Sequence, residues 1–159
     1  LGTVTDLVPL VGENRYLVKE GLKVLNNTQR IGLQELIKLA RLKLGELNTK
    51  HISKALGPRL NAASRMDDAT TSYRLVTTRS PEEVHALAQE LDARNAERQR
   101  LTDKVLRKAK ERLVHRLYPP LLIEGHESYP VGVIGLVAGK LVNEFHKPAI
   151  ILKLGVRCA

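Results

Sequence analysis

Residues 56–68, Leu-Gly-Pro-Arg-Leu-Asn-Ala-Ala-Ser-Arg-Met-Asp-Asp, gather two arginines and an asparagine behind a Gly-Pro pair. Gly57-Pro58 predicts a turn, after which Arg59, Asn61 and Arg65 project from a short helix packed through Leu60 and Ala63. Guanidinium forks beside unpaired helix N–H groups suit a phosphate. The structural alternative pairs the same arginines with Asp67 or Asp68. A second stretch, Tyr129–Leu141, places Gly132, Gly135 and Gly139 at the start of a predicted helix. That pattern fits close helix–strand packing, or an anion held near Gly132 and Gly135. It is not a Walker loop, because Ile134 stands where glycine is needed and Leu141 where Ser or Thr is needed.

Metal and nucleophile chemistry has thinner support. Asp6 follows an apolar start and is a candidate metal ligand, although a lone aspartate on a turn is more often a cap. The five histidines are scattered, without HxH or HxxxH spacing, and Ser64 and Ser72 have no evident base partner. No catalytic residue is assigned from the sequence. The charge balance is more telling. Twenty-six Lys and Arg against 17 Asp and Glu give a formal charge of +9, which points to a polyanionic partner. Residues 94–116 alone hold nine Lys or Arg against three acids. With four Tyr, one Phe and no Trp, any nucleic-acid grip must come from phosphates rather than stacked bases. No apolar run reaches the ~20 residues a membrane span needs. A lone cysteine, Cys158, fits a reducing cytoplasm.

These residues must be positioned by short helices, one long helix and a small sheet. Helices are predicted over 13–26, with Tyr16, Leu17, Leu22 and Leu25 inward, over 33–40, and from Thr49 to a break at Gly57-Pro58. Asp67-Asp68 can cap another through Leu75. Ser80-Pro81-Glu82-Glu83 is a strong helix start, and Pro119-Pro120 requires a stop near Arg116. The helix between has apolar stripes at its two ends (Val84, Leu87, Leu91; Leu101, Val105, Leu113) and a polar middle, the pattern of a strut between two lobes. Beyond it, Leu121–Ile123, Gly132–Phe145 and Ala149–Leu154 read as strand, helix and strand, with Ile134, Val137, Ala138, Leu141 and Phe145 inward. The fold class is α/β. The opening without methionine and the strand-like run near Ala159 read as cuts through a longer protein.

Three segments, in order, resemble the RecJ branch of the DHH phosphoesterases. Leu1–Leu10 with Gly12-Glu13-Asn14-Arg15 is similar to the family's fourth motif region. Gly57–Arg65 is similar to the segment before its connecting helix, and Gly132–Ala138 to the opening of its second domain, DHHA1. The resemblance implies the mostly helical end of a DHH domain (1–80), a connecting helix (81–116) and the start of a DHHA1 α/β domain (117–159). It implies a 5′→3′ single-stranded DNA exonuclease using two Mn²⁺ or Mg²⁺ ions, with Asp6 as a metal ligand. Arg59, Asn61, Arg65, Gly132 and Gly135 become substrate or phosphate positions. The expected partners are single-stranded DNA and other repair or replication proteins, with no membrane. Departures are Ser64 in place of a common glycine, and Tyr129-Pro130 where many members have Trp-His. Most of the metal ligands would lie upstream, so the chain alone is expected to be inactive. Two alternatives remain: a non-catalytic DNA-binding or replication-scaffold relative, and a phosphodiesterase for oligonucleotides or cyclic dinucleotides.

Overall fold

The computed structural model describes residues 1–66, 69–114 and 120–155, without the side chains of Arg65, Met66 and Val114. Asp67, Asp68, the helix end near Arg116, Pro119 and Cys158 lie outside the described residues. The element order is α1 (Gly2–Thr5), α2 (Gly12–Asn26), α3 (Ile31–Leu39), α4 (Thr49–His51), a π turn (Ile52–Leu56), α5 (Gly57–Met66), α6 (Thr70–Thr77), α7 (Pro81–Val114), β1 (Leu122–His126), α8 (Val131–Phe145) and β2 (Ala149–Lys153). The chain divides into two compact units, Leu1–Asn95 and Ala96–Ala159. Among the described residues, no helix is long and apolar enough to cross a membrane.

The first unit is helical. Leu36, Leu56, Leu75, Ala88 and Leu91 are fully buried in its core, and Val4, Leu25, Ile37 and Ile52 join them. On α2 the inward face is Val18, Leu22 and Leu25, spaced four and then three residues apart. Tyr16 and Leu17, expected inside, are 66% and 60% exposed because they fall off that stripe. Asn26 ends α2 by a side-chain tie: its Oδ1 accepts from the Leu47 N–H at 2.7 Å and its Nδ2 donates to the Leu47 carbonyl at 3.0 Å. Gly32 lets α3 settle on α6 so closely that a Cβ there would stand 1.8 Å from the Leu75 carbonyl oxygen. His85 of α7 links back to α3 through Glu35, Nδ1 to Oε1 at 2.8 Å. That hydrogen bond holds the Glu35 carboxyl below its usual range.

The expected break at Gly57-Pro58 does not occur. Gly57 is helical (φ −57°, ψ −50°) and the chain runs from α4 through the π turn directly into α5. Proline lacks an N–H and its ring collides with the carbonyl four residues back, so an ordinary α-helix would kink here. The π turn just upstream relaxes that geometry and lets the helical path continue. At the start of α7, Ser80 Oγ donates to Glu82 Oε2 at 2.5 Å. Glu83 turns to Arg74 and Thr78 instead of closing a capping box.

In the second unit β1 and β2 are parallel, in register from Leu122↔Ala149 to His126↔Lys153, with α8 as the crossover. Val105, Ala109 and Leu113 of α7 pack with Leu122, Val133, Val137, Leu141 and Ile151. Phe145, expected inward, is 41% exposed: it continues the row of Val133, Val137 and Leu141 but is the last residue of α8. Strand alternation also sends Glu124 inward, where it is 3% exposed and paired with Arg112 Nη1 at 3.1 Å.

Tyr129 is 1% exposed, and among the described residues its hydroxyl has no hydrogen-bond partner. Burial first, and the Glu124 carboxylate second, raise its phenol above the usual value. The folded unit therefore holds this proton more tightly than the unfolded chain does. Its contribution to stability is complete below pH ~10 and declines as pH rises beyond that. Tyr129→Phe should leave stability at pH 7 unchanged or raise it by about 1 kcal/mol, and flatten the alkaline decline. Urea midpoints at pH 7 and pH 10.5 measure both effects. A loss above ~1 kcal/mol on removing the hydroxyl would show that it has a partner.

Candidate nucleic-acid interface

Asp6 sits where α1 ends, and the local backbone explains its position. The Val8 N–H donates to the Thr3 carbonyl at 3.2 Å and the Leu7 N–H to the Val4 carbonyl at 3.4 Å, a Schellman closure. Leu7 occupies the left-handed position (φ 55°) that glycine usually fills, at a cost of about 1 kcal/mol. The Asp6 carboxylate is thus exposed on a fixed turn. Asn14 Nδ2 reaches back to the Pro9 carbonyl at 3.3 Å, tying the start of α2 to the same loop. Alpha1 also packs on the start of α5: a Cβ on Gly57 would stand 2.7 Å from Thr5 Oγ1. The element that carries Asp6 and the one that carries Arg59 are therefore neighbours. Among the described residues no three His, Cys, Asp or Glu side chains cluster as metal ligands. One carboxylate does not make a two-ion site, so this chain's described residues do not by themselves fit one.

Arg59 is engaged. Its Nε donates to Asp92 Oδ1 of α7 at 2.8 Å and its Nη1 to the Ala55 carbonyl at 3.0 Å, with the side chain 19% exposed. Asp92 was not foreseen; it lies 33 residues away, beyond any local pattern. Asn61 is half-buried one turn from Ser64, whose hydroxyl donates to the Asn61 carbonyl at 3.2 Å. The Arg65 side chain lies outside the described residues. Ser72 Oγ donates to the Leu60 carbonyl at 2.6 Å, fastening α6 to α5. The Arg59–Asp92 pair is partly solvated, so Arg59→Ala should cost about 1–2 kcal/mol of first-unit stability. A double-mutant cycle with Asp92→Ala should return a coupling of about 1 kcal/mol. A coupling of zero would show that the pair adds nothing to stability.

On α8 the glycines do not pack as expected. Around Gly135 and Gly139 an added Cβ would meet nothing within 4 Å, so neither marks a close helix–strand approach. Both are exposed, and Gly132 is half-buried in the first turn of a helix with no side-chain cap. Among the described residues, some cations of α7 are ion-paired and others are not. Arg94 pairs with Glu90, Arg100 with Glu97, Lys110 with Glu144 and Arg112 with Glu124. Lys104 and Arg107 are exposed and have no ion pair among the described residues.

Several known proteins are similar to this chain in sequence and in backbone. The "Single-stranded-DNA-specific exonuclease RecJ" of Bacillus subtilis is 39% identical over 96% of this chain and 20% of its own length. The Thermus thermophilus protein of the same name is 33% identical over 98% of this chain and 22% of its own. A crystal structure of T. thermophilus RecJ in complex with Mn²⁺ superposes with a TM-score of 0.83 at 32% identity, covering 94% of this chain and 22% of that one. Along nearly its whole length, this chain is RecJ-like. Its mostly helical first unit and small parallel sheet match the RecJ structure. A second solved RecJ, bound to manganese, gives a TM-score of 0.78 at 31% identity, over 96% of this chain and 38% of that one. T. thermophilus RecJ has also been crystallised with Mg²⁺. The RecJ-like chain spans a fifth to about a quarter of the curated relatives it matches. No protein-family model matches it.

Proposed function

We propose that this RecJ-like chain is part of a metal-dependent 5′→3′ exonuclease that hydrolyses phosphodiester bonds in single-stranded DNA during repair and recombination. What carries the reading is the similarity, over 94–98% of the chain, to proteins named single-stranded-DNA-specific exonuclease RecJ. In it, residues 1–80 end a DHH domain, 81–116 form the connecting helix and 117–159 begin a DHHA1 domain. Asp6 is one ligand of a Mn²⁺ or Mg²⁺ site completed by residues outside this chain. Arg59, Asn61, Arg65, Gly132 and Gly135 lie near the substrate phosphates, and the protein acts in the cytoplasm.

Lys and Arg supply the affinity in this reading, and aromatic stacking little. The formal charge of +9 with five aromatic residues supports that division. Binding of a labelled single strand to the chain should fall log-linearly with salt, with a slope of about −0.7 per phosphate neutralised. Mixed-sequence strands of equal length should bind alike. Titrations at several salt concentrations decide it. A flat salt response, or a strong preference among base sequences, would count against a phosphate grip.

A further inference from the structure

Where Gly32 lets α3 close on α6, the first unit carries a cationic cleft. With α3 drawn onto α6 through Gly32, the segment entering α3 (Asn27–Ile31) and the segment leaving α6 (Val76–Arg79) border a cleft of about 740 Å³. That is the size of a small organic ligand site. Its walls are of two kinds. Val24, Ile31 and Val76 provide aliphatic surface, while Arg30 and Arg79 provide guanidinium groups, and among the described residues no carboxylate lines it. Among the described residues neither arginine pairs with a carboxylate, as Arg15 and Arg41 do not, whereas Arg59, Arg74 and Arg94 of the same unit do.

The cleft is held in shape by its own hydrogen bonds. Arg30 Nη1 donates to the Val76 carbonyl at 2.9 Å, bridging the two segments and fixing its guanidinium. Gln34 Nε2 donates to the Thr28 carbonyl at 2.8 Å, and Thr78 Oγ1 accepts from the Ser80 N–H at 3.1 Å. Alpha3 begins here without a side-chain cap, so its positive end adds to the two arginines. One fixed guanidinium (Arg30) and one free to adjust (Arg79), beside an aliphatic wall, match one nucleotide of a strand, with phosphate on the arginines and sugar on the valines and isoleucine.

We propose that this cleft binds a phosphodiester-linked nucleotide of single-stranded nucleic acid, as a holding site lined by neither Asp6 nor Arg59. The proposal rests on the single-strand reading above and adds a location to it. The test uses the ¹⁵N-labelled 159-residue chain, a short oligothymidine and inorganic phosphate. Oligothymidine should move the amide resonances of Gln29–Gly32 and Thr77–Arg79. Arg79→Gln changes an exposed side chain with no partner among the described residues, so the fold should persist. It should weaken oligothymidine binding about tenfold and reduce the salt slope by about one phosphate. Arg79→Lys should recover part of the affinity and the full slope. Strand binding with no shifts at these amides, and with the Arg79→Gln slope unchanged, would overturn the cleft and leave the single-strand reading intact. Failure of the chain to bind oligothymidine at all would overturn both. Shifts with inorganic phosphate alone would reassign the cleft to small phosphates and overturn the nucleic-acid assignment.

Discussion

Incubated with single-stranded DNA and excess Mn²⁺, the 159-residue chain should release no nucleotides above background. A version extended to the length of its relatives should degrade the same strand from its 5′ end. The difference follows from ligand count. Two-ion hydrolysis requires several side chains set around a pair of ions about 3.5–4 Å apart. The described residues bring no such group together, and Asp6 stands alone on an exposed turn. One monodentate carboxylate competes poorly with water for a divalent ion, so calorimetry with Mn²⁺ should show no tight binding to the chain. In the extended protein Asp6→Ala should reduce turnover at least ~10³-fold, about 4 kcal/mol of lost barrier reduction. Single-strand affinity should hold within about twofold, because phosphate contacts by Lys and Arg are untouched. Robust release by the isolated chain, surviving a purity control, would place the chemistry on residues other than Asp6. An extended protein that binds DNA without cleaving it would favour the non-catalytic relative.

Periodicity carried the long elements. The two apolar stripes of α7, the strand–helix–strand order after it and the helical character of the first 80 residues were all legible, because each repeats a pattern over many residues. What failed was local punctuation whose outcome depends on tertiary context. Gly57-Pro58 reads as a stop in any helix, and only the π turn over Ile52–Leu56 makes it passable. Leu17 is as apolar as Val18 and Leu22, and only the placement of neighbouring helices decides which of them packs against the core. The candidate site shows the same division. Arg59 was recognisable from its motif, yet its partner Asp92 belongs to a helix 33 residues on. The glycines of α8 stand out by their spacing, while Gly32, where an added Cβ would meet α6 backbone at 1.8 Å, stands singly between Ile31 and Leu33 without any local signal.

Gly32→Ala should be among the most damaging single substitutions in the first unit, despite adding one methyl group to a helix. At an open helical position the same change would stabilise by about 0.5–1 kcal/mol, since alanine loses less backbone entropy. At Gly32 the new Cβ would lie 1.8 Å from the Leu75 carbonyl oxygen and 2.8 Å from its carbonyl carbon. Both atoms are backbone of α6, so no rotamer change relieves the overlap and the two helices must separate. Leu33, Leu36, Ile37 and Leu75 sit in the core that this separation would open. Overpacking against fixed backbone should therefore cost about 3 kcal/mol or more. For a unit of this size that lowers the melting temperature by roughly 12–24 °C. Gly21 in α2 and Gly135 and Gly139 in α8 have nothing within 4 Å of an added Cβ, and their alanine variants should each be more stable than the parent. Denaturant midpoints for the four variants, read with one probe in each unit, separate packing from propensity. A Gly32→Ala protein as stable as the parent would refute the close approach of α3 to α6, and with it the wall of the cleft between Arg30 and Arg79.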